Sequence, residues 1–253
     1  MLNEILRYLR TVGEVGLLTR RAFFALLRRP IELDAWIRQM EQLGVKSLGV
    51  AGVTTLFTGM VLALQTAYSL SELGVKYYVG TAVSKALTRE LGPVLTALIV
   101  GGRIGSGMTA EIGTMKVTEQ IDALRSMAAD PVKKLVAPKL AACLIMLPAL
   151  TMIGNGLGIF GGMLIAVYQL NVPLGLYVND VQGALTLGDV LSGIGKSYFF
   201  AYFIAIIGCY NGLNARGGAD GVGRATTNTV VWASIVILVS DFFLTKLFYI
   251  LGA

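Results

Sequence analysis

Residues 48–70, LGVAGVTTLFTGMVLALQTAYSL, decide the fold, because they form a long apolar run without a single charged side chain. A helix needs about 20 apolar residues to cross the roughly 30 Å hydrocarbon layer of a membrane. The stretch meets that length. The sequence therefore predicts a transmembrane helix here.

The composition extends this conclusion to the whole chain. Hydrophobic residues make up 55% and charged residues only 14% of the 253 residues, and the mean hydropathy is +0.71. Soluble domains average far more charge. Because no change in composition marks a soluble domain, we expect one membrane domain over 1–253.

Four further windows are apolar enough to cross a membrane, which makes the chain an all-α polytopic membrane protein with about five transmembrane helices. The third window is long enough to tilt or bend near Pro148. The second is interrupted by Arg89, Glu90 and Arg103 and is kept because the charge distribution favours five spans. The predicted spans are 48–71, 83–109, 137–169, 190–213 and 228–251.

Basic residues give the orientation. Eight of the 21 Lys and Arg precede Ser47, six lie in 101–139, and the loop 171–189 has none. Since cytoplasmic segments are rich in Lys and Arg, we expect a cytoplasmic amino terminus, a cytoplasmic segment 110–136 and a carboxyl terminus on the outer side.

Residues 1–46 are expected to lie at the membrane surface. Apolar side chains recur at helical spacing opposite charged ones, as in an interfacial amphipathic helix; they are Leu2, Ile5, Leu6, Leu9 and Val12. An ordinary helix packed on the bundle explains the pattern equally well. Four arginines could bind anionic lipid headgroups; they are Arg20, Arg21, Arg28 and Arg29.

Several kinds of site are excluded. The chain has no histidine, and both cysteines lie in apolar runs, which argues against a metal site and a disulfide framework. The net charge of +6 is better explained by cytoplasmic loops than by nucleic-acid binding.

Two motif matches lack the context that they need. Gly156, Gly158 and Gly161 satisfy GxGxxG in the middle of an apolar span, where no strand precedes a helix. A stripe of small residues for helix packing explains them better: Gly154, Gly158, Gly162 and Ala166, with a matching stripe at Thr55, Gly59, Ala63 and Ala67. The run at 195–197 resembles the end of a P-loop but has Val190 where glycine is required. We therefore expect no catalytic residue and no ATP hydrolysis by this chain.

The segment 110–136 is polar between two apolar runs. On a short helix, it would present mixed charged and apolar side chains to a soluble partner, although a solvated loop fits the pattern equally well. The residues we expect to make this coupling contact are Glu111, Met115, Glu119, Gln120 and Asp122.

Asp241 lies within a predicted span. An ionised carboxylate there costs roughly 2.5–3.5 kcal/mol, so it should face the bundle interior and be paired. Lys246, Lys196 or Arg89 could neutralise it. Glu90 and Arg89 should form a second polar spot, and an internal ion pair that holds the bundle together explains these charges as well as a role in transport.

The chain resembles the MlaE (YrbE) permease family, the membrane subunits of ABC transporters that move phospholipids together with MCE-domain proteins. The resemblance covers nearly the whole chain. Its motifs are RELGP at 89–93, GR at 102–103, AEIGTM at 110–115 with TEQID at 118–122, MAADP at 127–131, GRATT at 223–227, DF at 241–242 and LT at 244–245.

The resemblance implies a homodimeric permease in the bacterial inner membrane that moves phospholipids between the inner and outer membranes to maintain outer-membrane lipid asymmetry. Its coupling helix would dock into a cytoplasmic ABC ATPase, which binds ATP and Mg. A periplasmic MCE-domain protein would carry the lipid, and a small cytoplasmic STAS-domain protein is a further partner to consider.

A phospholipid needs apolar walls for its acyl chains and a polar rim for its headgroup. We expect the chains near Leu62, Gln65, Tyr68, Leu70 and Tyr78, and the headgroup near Arg89, Glu90 and Lys196. Ordinary packing against membrane lipid also explains such Leu and Tyr residues. The alternative function is a non-transporting scaffold that tethers an ATPase and a periplasmic lipid-binding protein.

Overall fold

The computed structural model describes residues 2–27, 33–71 and 78–250, and this part of the chain is almost entirely helical and contains no β-strand. The α-helices among these residues are α1 (Leu2–Leu27), α2 (Leu33–Leu43), α3 (Leu48–Ser71), α4 (Val79–Ala86), α5 (Gly92–Val117), α6 (Gln120–Ser126), α7 (Ala137–Tyr168), α8 (Leu174–Ala184), α9 (Leu187–Leu213) and α10 (Gly218–Ile250).

In the part of the chain that the structure describes, three short helical segments of other types join these helices. A 3₁₀ turn, Val45–Ser47, links α2 to α3. Two π-helical segments follow: Leu87–Leu91 runs from α4 into α5, and Val132–Val136 leads into α7. A π-helical turn inserts an extra residue and is frequent at functional sites.

Within the described residues, five helical runs are long and apolar enough to cross a membrane, which confirms an all-α polytopic membrane protein. They are Leu33–Ser69, Val79–Val117, Val132–Tyr168, Leu187–Leu213 and Gly218–Ile250. Each contains most of one predicted window but extends beyond it at one end or both. Helix α7 continues through Pro148. Where the membrane boundaries fall within these runs stays a prediction.

The chain divides into two compact units. The first consists of Met1–Val45, Gly101–Met146 and Ala201–Val236. The second consists of Lys46–Val100, Leu147–Phe200 and Ile237–Ala253. Each unit draws on several helices that are distant in sequence, so each has a core of its own.

Helix α1 belongs to the first unit and has two different halves. Its later part packs with one side only, where Ala22 is fully buried and Glu14 accepts a 2.8 Å hydrogen bond from the hydroxyl of Tyr210. That bond and a second one from Arg10 hold the pKa of Glu14 below its ordinary value. Its earlier part exposes Leu6 and Leu9. Whether the amphipathic start of α1 lies at a membrane surface stays a prediction.

The first unit is held together by close helix contacts. Thr109 on α5 donates a hydrogen bond to the carbonyl oxygen of Gly208 on α9 over 2.9 Å, and its hydroxyl lies 2.8 Å from that of Thr229 on α10. A Cβ atom on Gly208 would lie 3.1 Å from the carbonyl oxygen of Gly105. Small residues thus let these helices approach closely enough for interhelical hydrogen bonds.

The second unit contains the predicted small-residue stripes, which meet as expected. A Cβ atom on Gly59 of α3 would lie 1.9 Å from the carbonyl oxygen of Gly158 on α7. Ala63 and Ala67 are buried beside it. Two glycines of the GxGxxG match, Gly158 and Gly161, therefore serve helix packing, whereas a Cβ atom on Gly156 would meet open space. Helix α4 packs against α3 and α8 in the same unit.

Candidate functional site

A buried lysine is the centre of the most unusual polar cluster. The side chain of Lys196 on α9 is fully buried. Its ammonium group donates hydrogen bonds to the carboxylate of Glu90 and, over 2.7 Å, to the hydroxyl of Thr245. An oxygen of Asp241 lies 3.1 Å from the same nitrogen. We call these four residues the Lys196 cluster; of the three predicted partners of Asp241, Lys196 is the one that lies beside it.

The backbone explains how these charges meet. Glu90 lies on the π-helical segment Leu87–Leu91. Gly193 of α9 packs directly on this segment, because a Cβ atom at that position would lie only 2.2 Å from the carbonyl oxygen of Thr88. Lys196 follows three residues later, about one helical turn along α9. Because Gly193 has no side chain, α9 can approach the π-helical segment closely, and the ammonium group of Lys196 then reaches Glu90.

A second ion pair lies beside the first. The Nε atom of Arg89 is 3.2 Å from an oxygen of Asp189, whose side chain is only 4% exposed. The other oxygen of Asp189 accepts hydrogen bonds of 2.8 Å from the backbone and the hydroxyl of Thr186. Thr186 and Asp189 thus cap the start of α9 as a capping box, and the same carboxylate holds Arg89.

An apolar groove of about 490 Å³ runs along α3 in the second unit. It includes two of the predicted lipid-binding residues, Leu62 and Gln65, and also Leu91, the residue directly after Glu90. The groove is lined by Val53, Thr54, Phe57, Thr58, Val61, Leu62, Gln65 and Leu91. Apolar walls with a few polar side chains are typical of a lipid or ligand site.

The other predicted lipid-binding residues are placed differently. Tyr68 and Tyr78 are 72% and 58% exposed and do not line this groove. The side chain of Leu70 lies outside the described residues, although its backbone belongs to α3. Lys196 is fully buried, whereas the side chains of Glu90 and Arg89 are 40% and 35% exposed. Of the three residues predicted to meet a headgroup, the last two are therefore partly accessible and Lys196 is not.

The first unit contains a buried lysine of its own. Lys139 on α7 is 1% exposed, and its ammonium group donates to the carboxylate of Glu111 over 2.6 Å and to the side-chain oxygen of Gln39 over 3.1 Å. We call this the Lys139 cluster. It ties α7 to α5 and α2. Glu111, predicted to contact a partner, is thus held by α7 while its side chain stays 46% exposed.

The segment 110–136 is a helix end, a turn and a second short helix, where the sequence predicted one short helix. Helix α5 continues to Val117, and α6 begins at Gln120. Between them, Glu119 adopts a positive φ of 61°, an αL conformation that is uncommon for residues other than glycine. Ile112 and Ile121 are buried, while Met127 is 78% exposed. The apolar residues therefore do not share one face.

The predicted coupling residues lie around this turn. Glu119 and Gln120 are exposed and Met115 is half-buried. Asp122 accepts a 2.9 Å hydrogen bond from Lys116 across the turn and a 3.0 Å bond from Arg125 within α6. The hydrogen bond from Lys116 is the main reason that the pKa of Asp122 lies below its ordinary value. These charged hydrogen bonds hold the turn in place, and the turn remains accessible to solvent.

Sequence reasoning missed Asp189, Thr245 and Lys139 as members of these clusters. The T-x-x-D spacing of Thr186 and Asp189 is a capping-box signal that predicts a helix start, and it would have drawn attention to Asp189. Lys139 in the apolar run APKLAAC was a further signal, because an intramembrane lysine needs a partner. Thr245 carries no such signal, since a threonine in a span is commonly satisfied by its own helix.

Comparisons with known proteins agree with one another. The sequence profile described as Permease MlaE matches residues 36–247. A probable ABC transporter permease protein of Rickettsia typhi is 43% identical over 98% of this chain and 95% of its own length. A probable ABC transporter permease protein of Synechocystis is 42% identical over 92% of this chain and 88% of its own.

A third relative has a more specific name. The intermembrane phospholipid transport system permease protein MlaE of Haemophilus influenzae is 38% identical over 98% of this chain and 95% of its own length. The five membrane-crossing helical runs fit the same kind of protein. This chain belongs to the MlaE permease family.

Proposed function

We propose that this chain is the permease subunit of an ABC transporter that moves phospholipids between the inner and outer membranes and so maintains outer-membrane lipid asymmetry. The name of the Haemophilus relative supports this function. The observation that carries the proposal is the apolar groove of α3, which reaches Leu91 beside the Lys196 cluster. Apolar surface and membrane-embedded charge then meet at one place.

Each part of a phospholipid has a counterpart there. The acyl chains lie against Leu62 and its apolar neighbours in the groove. The headgroup lies near the partly exposed side chains of Glu90 and Arg89. Lys196 holds the Glu90 carboxylate in position from the buried side. Because this carboxylate is already fixed, lipid binding does not have to reduce its conformational entropy. Tyr68, Leu70 and Tyr78 extend the lipid path beyond the groove.

The energy comes from a separate subunit. We propose that a cytoplasmic ABC ATPase, which binds ATP and Mg, contacts the turn around Glu119 and the exposed side of α6. The coupling residues are Glu111, Met115, Glu119, Gln120 and Asp122. The exposure of Glu119, Gln120 and Met127 supports this contact.

The remaining parts of the assembly follow from the same family membership. We propose a homodimer in the bacterial inner membrane, with a cytoplasmic amino terminus and a periplasmic carboxyl terminus. A periplasmic MCE-domain protein exchanges lipid with the permease, and a small STAS-domain protein is a further cytoplasmic partner. The absence of Lys and Arg from 171–189 supports an outward position for that loop.

The lipid site is tested by filling the groove. The chain is purified with the products of its neighbouring genes, reconstituted in proteoliposomes and assayed for bound phospholipid and ATP-dependent lipid transfer. Leu62→Trp and Gln65→Trp should each lower both quantities at least about tenfold, since a blocked apolar site loses most of its binding energy. Met152→Trp is the matched control, because Met152 is 53% exposed and lies outside the groove.

The scaffold alternative gives a different result. If the groove variants retain lipid transfer while Met152→Trp behaves normally, the groove is not the lipid site. If no variant and no wild-type preparation transfers lipid but the partners still co-purify, the chain is a scaffold. The coupling contact is tested separately with Glu119→Lys, which should reduce ATPase co-purification without loss of bound lipid.

A further inference from the structure

A second cavity, of about 530 Å³, lies in the first unit between α1 and residues 130–133, which precede α7. Its lining combines three cations with apolar side chains, and it shares no residue with the groove of α3. The lining consists of Leu17, Arg20, Arg21, Phe24, Ala25, Asp130 and Lys133. We call this the α1 cavity.

The three cationic side chains of the α1 cavity are not paired with a carboxylate among the described residues. Within the described part of the chain, Arg20, Arg21 and Lys133 make no hydrogen bond and no ion pair. The guanidinium group of Arg20 lies over the ring of Phe24, 5.8 Å from the ring centroid. The carboxylate of Asp130 already accepts a 2.9 Å hydrogen bond from the backbone of Val132. The cavity therefore carries a net positive charge that a ligand can neutralise.

The same cavity has an apolar wall at its rim. Leu17 and Phe24 are 56% and 55% exposed, although both are large hydrophobic side chains. Cations beside exposed apolar groups on one amphipathic helix match a phospholipid, whose phosphate lies next to its acyl chains. A free phosphate would leave the apolar wall uncovered, and an acidic peptide would gain little from it.

We propose that the α1 cavity binds the phosphate of an anionic phospholipid as a resident lipid. Arg20 and Arg21 present planar guanidinium groups that suit phosphate oxygens, and Lys133 adds a point charge from the neighbouring segment. The acyl chains run along Leu17 and Phe24. The bound lipid joins α1 to the Val132–Val136 segment, against which α1 already packs, and so anchors the amino-terminal helix.

Lipid retention tests the proposal. The full chain is purified from nanodiscs with equal amounts of phosphatidylglycerol and phosphatidylcholine, and lipids retained per protomer are counted by native mass spectrometry. Phosphatidylglycerol should be retained about tenfold more than phosphatidylcholine, since several cations near a membrane surface act together. The triple variant Arg20→Gln, Arg21→Gln, Lys133→Gln should lose this preference.

Two further variants separate lipid binding from misfolding. Asp130→Asn should increase phosphatidylglycerol retention, because it removes the only negative charge of the cavity lining and still offers an oxygen to Val132. A variant that cannot fold would not bind more lipid. The charge-matched control is Arg38→Gln, Lys46→Gln, Arg216→Gln, three exposed positions outside the cavity, and it should keep the preference.

Three results would overturn the proposal. The first is an unchanged preference in the Arg20, Arg21, Lys133 variant, or an equal loss in the control. The second is displacement of phosphatidylglycerol by inorganic phosphate at matched ionic strength, which would make the cavity a free-phosphate site. The third is retention of lipid but loss of a co-purifying protein in that variant, which would make it a protein-docking face.

Discussion

Among the described residues, each of the two units of this permease buries one lysine, but the partners of the two lysines differ. Lys139 meets one carboxylate, Glu111, and the neutral Gln39. Lys196 meets two carboxylates, Glu90 and Asp241. The Lys139 cluster is formally neutral, whereas the Lys196 cluster carries one negative charge in excess.

This difference indicates two roles. A neutral ion pair whose hydrogen bonds are satisfied ties helices together and needs no further partner. A cluster with an excess carboxylate that is partly exposed can attract a cationic group of an incoming headgroup, although it repels the phosphate. The Asp241 oxygen that lies 3.1 Å from the ammonium group makes this ion pair but no hydrogen bond among the described residues. We therefore propose that the Lys196 cluster contacts lipid and that the Lys139 cluster supports the contact with the cytoplasmic partner.

The largest expected effect comes from removing the cation with two partners. Lys196→Met leaves Glu90 and Asp241 facing each other without a counter-charge, and breaking a buried pair in this way costs about 3–5 kcal/mol. Thermal unfolding of the purified protein in detergent should show a large loss of Tm. Lys246→Met is the control, because Lys246 is exposed and outside the cluster, and it should unfold like the wild type. Equal Tm values for Lys196→Met and Lys246→Met would show that Lys196 does not hold the two carboxylates of its cluster together.

Removing the other lysine should cost less. Lys139→Met leaves one carboxylate, and Glu111 is 46% exposed, so water can hydrate it. The expected loss is about 1.5–3 kcal/mol, the value of hydrogen bonds to a charged group. The double variant Lys139→Met, Glu111→Gln should recover part of this stability in the same unfolding assay. A larger loss for Lys139→Met than for Lys196→Met would reverse the assignment of the two clusters.

The geometry of the Lys196 cluster can be disturbed without changing any charge. Gly193→Ala places a Cβ atom against the carbonyl oxygen of Thr88 and should push α9 away from Glu90, at a cost of about 1–3 kcal/mol for overpacking. Gly183→Ala is the control, because a methyl group at that position on α8 would have no other atom within 4 Å. If Gly193→Ala unfolds like Gly183→Ala, close backbone packing does not position this cluster.

The smallest expected effect concerns the turn that follows the Lys139 cluster. Glu119→Gly should stabilise the chain by about 1 kcal/mol, because glycine adopts the αL conformation without the steric penalty of a side chain. Gln120→Gly, at the first residue of α6, should instead be neutral or slightly destabilising. Thermal unfolding of the two variants side by side gives the sign. A loss of stability in Glu119→Gly would mean that its side chain has a structural role.

The fold followed from the sequence because long apolar runs and small-residue stripes are strong local signals. The five membrane-crossing runs and the contact of Gly59 with Gly158 were both predictable. Asp241 was recognisable as a buried charge that needs a partner, but Lys196 was one of three possible partners. That choice depends on the packing of Gly193, a contact between residues that are distant in sequence.

Other parts of the site had no local signal. The break between α5 and α6 depends on Glu119 adopting a positive φ, although nothing in the TEQID motif requires it. The burial of Lys139 beside Glu111 depends on the packing of α5 against α7. The α1 cavity joins residues from 17–25 with residues from 130–133, so it could not be read from either segment alone.

The most direct test of the division of roles compares Glu90→Gln with Glu111→Gln in the complex purified with its ATPase. Bound phospholipid and co-purified ATPase are both measured in each variant. We expect Glu90→Gln to lose phospholipid and keep the ATPase, and Glu111→Gln to keep phospholipid and lose the ATPase. Loss of the same component in both variants, or of neither, would contradict the assignment of separate roles to the two lysine clusters.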